Sequence, residues 1–244
     1  MPKGVTISKL SREMCRALGL SFSYVEGRAR ALQAAGLLPS GKSGHAEVNA
    51  AELDPEHGLL ILLAVLSGKS GERAVEDVRT FTELRLMGVS HVKAGGGGVF
   101  YSSPLDPDAG NLLLGGEPFL LSLAKLMVAA FDGRPMVFDV QTICVGGALG
   151  SRCASIAMAP PTNPAAWIRF DFGLPANPLG QAPDDAPLCG LAEFRQVPGV
   201  ILHLLVGLFS AEAMCRHAAL IEASAEGPPP VGLMQATTHQ KGTA

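Results

Sequence analysis

The sequence predicts an α+β fold: helices through the N-terminal third, then a small α+β region built on an antiparallel sheet. Three observations lead there. Helical patterns cover residues 11–38, 54–66 and 72–86. Short strand-like runs follow at 136–145, 153–159, 167–172 and 193–196, separated by proline-rich connections. Helical runs at 119–131 and 198–213 flank those strands, an order of helix, strands, helix that suits an antiparallel sheet.

Composition agrees with a packed protein. A chain of 244 residues allows one or two domains, and 48% hydrophobic residues allow a sizeable core. Only 5% are aromatic, while 29 are Gly and 18 Pro, so the core is mainly aliphatic and turns are many. The five cysteines (Cys15, Cys144, Cys153, Cys189, Cys215) are scattered, odd in number and never in CxxC spacing. They read as reduced cytoplasmic thiols, and neither a disulfide framework nor a zinc site is expected. The first residues, Met1 to Gly4, are polar and lack the apolar core of a secretory signal. The apolar runs at 59–66 and 198–213 fall short of the roughly 20 residues a bilayer requires. A cytoplasmic location is the expectation.

Residues 6–10 open the first helix or lead into it, and residues 11–30 form the stretch on which the rest is organised. Two short helices around a tight turn need three things: a small residue where they cross, a turn residue tolerant of positive φ, and an apolar residue pointing back. Cys15, Gly19 and Val25 supply these at the fifth, ninth and fifteenth places of a twenty-residue window. Met14, Leu18 and Leu20 add apolar packing, and Ser21 or Ser23 can cap the second helix through its hydroxyl. Val25, Ala29, Leu32 and Leu37 keep to one side of that helix. The other side carries Ser23, Tyr24, Arg30 and Gln33, with Arg28 flanking it.

The next residues extend the pattern. Gly36 is placed to end the second helix, within Ala35 to Pro39. A basic turn at 40–44 and a strand-like run at 45–48 then have the layout of a wing. Residues 1–50 hold seven Lys and Arg against three Glu, net +4, in a chain of net −3. That local excess is the electrostatic footprint of a phosphate-binding module.

On these residues, segment 5–48 resembles the winged helix-turn-helix regions of bacterial and phage DNA-binding proteins. It includes a run of the LRxAGLLP type, here Leu32 to Pro39. Segment 36–86 is also similar to prophage-type proteins in which such a reader is followed by two helices. Arg28 departs from the pattern, at a place that is often apolar. The resemblance implies a second helix in the major groove, with Ser21, Ser23, Tyr24 and Arg30 nearest bases or backbone. Arg12, Arg28, Lys42 and His45 would bind phosphates. An ordinary helical hairpin with no nucleic acid satisfies the same local pattern and stays open here.

Further along, Asp54 and Pro55 signal a helix start, Asp as the cap and Pro at the first helical place. Residues 59–66 are apolar all round, the mark of a buried helix. Residues 68–71 break it. Helix 72–86 resumes with Ala74, Val75, Val78 and Phe81 on one face and Glu72, Glu76 and Arg79 on the other. The expected organisation is a winged reader with helical extension over 1–86, a Gly/Pro-rich linker over 87–117, an α+β domain over 118–225 and a disordered tail over 226–244. The glycines at 95–98 lack the strand, helix and Lys frame of a phosphate loop.

Chemistry is sparse. No G-x-S-x-G, H-E-x-x-H, Walker A or dinucleotide fingerprint is present. His203 is a lone histidine in an apolar helix, and His217, two residues after Cys215, lacks further ligands at zinc-site spacing. Asp139, Asp171, Asp184 and Asp185 read as solvent-facing carboxylates. The chain is expected to be a non-catalytic, sequence-specific DNA-binding regulator, with no cofactor or metal, partnered by double-stranded DNA and by itself as a homo-oligomer, a dimer favoured. A phage-type DNA-packaging component is the alternative. Oligomer number separates the two, since a closed ring of many subunits would favour packaging.

Overall fold

A computed structural model describes residues 4–40, 52–92, 99–102, 117–132, 139–148, 151–159, 167–174 and 193–225. Four helices come first: α1 (Ile7–Leu18), α2 (Phe22–Ala34), α3 (Pro55–Ser67) and α4 (Glu72–Glu83). Two strands follow, β1 (Arg85–Val92) and β2 (Val99–Ser102), then α5 (Phe119–Phe131). Three strands come next, β3 (Asp139–Ala148), β4 (Ser151–Ala159) and β5 (Trp167–Gly173). The described chain ends with β6 (Glu193–Pro198), α6 (Val200–Leu208) and α7 (Ala211–Ala225).

The six strands form one sheet in the order β2-β1-β5-β4-β3-β6, and every pairing is antiparallel. Alternate residues turn inward: Ile143 and Val145 on β3, Ala154, Ile156 and Met158 on β4, Ile168, Phe170 and Phe172 on β5. That face meets the helices, with α3 against β3 and β6 and α4 against β4. Phe172 also meets Phe119 of α5 in a tilted ring pair, centroids 4.9 Å apart, a geometry aromatic quadrupoles favour.

At the centre lies α3. Eleven of its thirteen residues are buried, as the all-round apolar run requires, and it touches α2, α4, α5, α6 and α7. Pro55 occupies its first turn, and the Asp54 backbone N–H donates to His57 Nδ1 at 3.0 Å, satisfying one polar group at the helix start. Gly68 ends it with φ 71°, a left-handed conformation that costs glycine little. Most of the buried apolar residues from Val5 to Met214 form a single hydrophobic cluster.

Three expectations are corrected. The helix expected over 72–86 stops at Glu83, because Leu84 takes an extended conformation (φ −59°, ψ 141°) and the chain enters β1. Residues 87–92 and 99–102, expected within a linker, are strands. β1 pairs with both β2 and β5, so its strand geometry comes from distant partners. The helix expected over 198–213 is broken instead. Pro198 ends β6, Phe209 is extended (φ −91°, ψ 150°), and the Ser210 hydroxyl accepts from Ala213 N to start α7. The break turns the Phe209 ring onto Gly58 of α3, where an added Cβ would lie 3.2 Å from the ring. The other strands and helices lie where the pattern puts them, within a few residues at their ends. The expected wing and the expected tail lie outside the described residues.

Candidate nucleic-acid interface

The α1–α2 hairpin is built by local chemistry. Thr6 caps α1, its hydroxyl accepting from Lys9 N at 3.3 Å. Gly19 closes α1 at φ 66°, and three residues, 19–21, complete the turn. Ser21 caps α2 by accepting from Tyr24 N, also at 3.3 Å. At the far end Gly36 has φ 76°, and Leu37 N donates to Leu32 O at 2.9 Å, a bond that satisfies a last-turn carbonyl. Val25, Ala29 and Leu32 are fully buried, as the pattern requires. The small residue that is fully buried on α1 is Ser11, while Cys15 is only half-buried and burial pushes its thiol up.

Of the expected contact residues on α2, Ser23 and Arg30 face water. Ser21 is exposed as well, but its hydroxyl is engaged in the cap. Arg30 donates to Glu26 at 3.3 Å and to Gln33 at 3.1 Å, and Glu26 also accepts from Ser8 of α1 at 3.3 Å. The Arg30–Glu26 pair lies on the surface, where such pairs are worth roughly 0–1 kcal/mol, so either side chain can exchange partners. Arg12 is exposed on α1.

Two expected contact residues turn inward, and this is a correction. Arg28 is 6% exposed. Its guanidinium donates to Tyr24 O at 3.0 Å and to Gly68 O at 3.2 Å. The guanidinium carbon lies 3.4 Å from the centre of the Tyr24 ring, a cation–π contact. Burial lowers its pKa, the tyrosine opposes that, and neighbouring Arg195 adds to it. Tyr24 is half-buried; its hydroxyl donates to Val65 O at 3.4 Å and accepts from Arg195 at 3.3 Å. Both side chains thus serve the carbonyl end of α3, where unpaired C=O groups and the helix dipole attract donors and cations. Arg28 is therefore withdrawn from the phosphate-binding set and Tyr24 from the base-facing set. Lys42 and His45 lie outside the described residues.

Two residues of the surface escaped the sequence reading. Lys9 and Arg16 are exposed on α1 beside Arg12. Spacings of three and four place all three on one helical face, a signal present in the sequence from the start. Arg16 pairs with Glu13 at 2.8 Å on that surface. Ser23, Gly27 and Arg30 are exposed on α2, and Glu13 and Glu26 stand beside Arg16 and Arg30 as their ion-pair partners. Among the described residues no three His, Cys, Asp or Glu side chains converge as metal ligands. No single helix there is long and apolar enough to cross a membrane. Comparison with protein-family models, with curated proteins and with solved structures gives no match.

Proposed function

We propose that this protein is a non-catalytic DNA-binding regulator that docks the α1–α2 hairpin, as a winged helix-turn-helix, on double-stranded DNA. The observation that carries the proposal is the pairing of a Gly19-centred turn with a water-facing set of Lys9, Arg12, Arg16, Ser23 and Arg30. Exposed cations at the start of the motif suit phosphates, and a short, capped second helix suits the major groove. Gly27, exposed and with open space where a Cβ would stand, allows close approach of a duplex to the α2 backbone. One hairpin offers four such cations, too few for tight binding alone. Two copies on adjacent half-sites would supply the rest, so a homodimer is the working assembly.

The test is a salt titration of binding to random and genomic duplex fragments. Wild type should lose affinity steeply with salt, with a log–log slope of roughly −0.9 for each phosphate neutralised. Arg12→Ala/Arg30→Ala should lower that slope by roughly 2 while leaving the fold intact. Absence of binding at low salt would sink the proposal. A ring of many subunits in light scattering would redirect it from regulation to DNA packaging.

A further inference from the structure

The sheet has a second face, turned away from the helices and independent of DNA binding. Alternation along the strands sends Ile143, Val145, Ala154 and Ile156 to the core. It sends Cys144, Cys153 and Ser155 to the other side, with Arg169 and Asp171 of β5. A cavity of about 300 Å³ lies there, and all five of these residues line it. Register fixes their places. Cys144 stands opposite Ser155, Ser155 opposite Asp171, and Cys153 opposite Gly146. The two cysteines are therefore diagonal neighbours on adjacent strands, both free thiols and both half-buried. They lie close enough to interact: burial pushes the Cys144 thiol up, charge on Cys153 adds to that, and Arg169 opposes it.

We propose that Cys144 and Cys153 form a binding site for a soft monovalent metal ion, Cu(I), held in line between the two sulfurs. Spacing favours this. Diagonal Cα atoms in a sheet lie about 7–8 Å apart, beyond the roughly 6.8 Å that a disulfide tolerates. One inserted atom relaxes that limit. Two metal–thiolate bonds of about 2.3 Å in line hold the sulfurs roughly 4.6 Å apart, against about 2 Å in a disulfide. Ligand number favours it too. Zinc takes four ligands, and among the described residues no three His, Cys, Asp or Glu side chains converge here. Two sulfurs alone select a soft ion that accepts linear coordination, as Cu(I) does, over the hard cations that require oxygen. Charge balances as follows. Each thiol gives its proton to solvent, the ion enters as Cu(I) with no electron transferred, and the bis-thiolate centre carries a single negative charge. Arg169, in the same cavity, favours the charged form of both sulfurs.

The test uses the whole 244-residue chain without oxygen, with Cu(I) delivered from the coloured chelator bicinchoninate. Wild type should withdraw one ion per chain, and X-ray absorption should show two sulfurs around it. Alkylation locates the ion without any substitution: Cu(I) should shield Cys144 and Cys153 from N-ethylmaleimide and leave Cys215, exposed on α7, reactive. Cys144→Ser and Cys153→Ser should each weaken binding by more than about a hundredfold, since even residues behind a metal ligand are worth 10–100-fold. Cys15→Ser/Cys215→Ser should bind like wild type, and Zn(II) should not compete. The proposal is overturned if wild type leaves Cu(I) on the chelator or if Cys144 and Cys153 stay reactive in the loaded chain. Undiminished binding by both single variants, or equal binding of Zn(II), would overturn it as well.

Discussion

Asp77 of α4 and Arg152 of β4 form an ion pair at 2.8 Å, with both side chains about one-tenth exposed. The guanidinium uses Nε and Nη2 on the two carboxylate oxygens and donates through Nη1 to Gly147 O at 3.0 Å. The pair joins the helical layer to the sheet across 75 residues of sequence. Removing one partner leaves a nearly buried charge uncompensated, a change that typically costs about 3–5 kcal/mol. Asp77→Ala should therefore lower unfolding free energy by about 3 kcal/mol in urea titrations. Asp77→Leu/Arg152→Met should recover much of that loss, because no lone charge remains.

Arg28 should behave as a structural residue. Arg28→Ala removes the bond to Gly68 O at the end of α3, the bond to Tyr24 O and the Tyr24 ring contact, and about 2 kcal/mol of stability should go with them. Arg28→Lys should rescue little, since an ammonium cannot stack on Tyr24 and span both carbonyls as a planar fork does. Urea unfolding of the three proteins checks this. Near-wild-type stability in Arg28→Ala would return the side chain to the surface set.

Two glycines should respond in opposite directions to alanine. A Cβ on Gly199 would run into the carbonyl oxygen of Val140, backbone that has little room to retreat. Gly199→Ala should cost more than about 2 kcal/mol or prevent folding, in line with overpacking of a close contact. Gly27 is helical and exposed and has nothing within 4 Å of a would-be Cβ. Gly27→Ala should stabilise by roughly 0.5–1 kcal/mol. Thermal melts of both variants decide.

Stability should fall on mild acidification in a way traceable to His217. Its pKa in the folded chain lies below its ordinary 6.5, because burial penalises the charged ring. The unfolded chain therefore binds more protons than the folded one between those two values. His217 costs nothing well above pH 6.5, and its penalty grows as pH drops through 6.5 towards the folded pKa. His217→Gln should remove this component, which cannot exceed about 1.4 kcal/mol per pH unit. The comparison is unfolding free energy from about pH 7.5 to 5 for the two proteins. Parallel profiles would assign the acid sensitivity elsewhere.

Much of the fold is legible in the sequence wherever its cause is local. Ser21, Gly19, Gly36 and the Asp54 and Pro55 pair act on groups within one turn of themselves, and each sits where the sequence places it. The inward face of α4 is equally plain, since Ala74, Val75, Val78 and Phe81 are all buried. β1 is harder, because its pairing partners lie up to 88 residues away at Arg85 and Gly173. The break at Phe209 depends on the space above Gly58, a residue of another helix. Arg28 fails for the same reason. Its long side chain is read as a surface cation until the end of α3, 40 residues on, is seen to accept it. The basic stripe of Lys9, Arg12 and Arg16 is a different case, being available from spacing alone.

The seat of α3 has an evolutionary consequence. A helix with almost no watered side cannot belong to the hairpin alone or to the sheet alone, because each covers part of it. The α1–α2 hairpin therefore cannot be transferred to another protein as a free-standing cassette, since it would leave part of its oily neighbour uncovered. Packing ties Val25, Ala29 and Leu32 to the inheritance of the whole chain, whereas Ser23, Gly27 and Arg30 answer to the proposed duplex contact and not to α3.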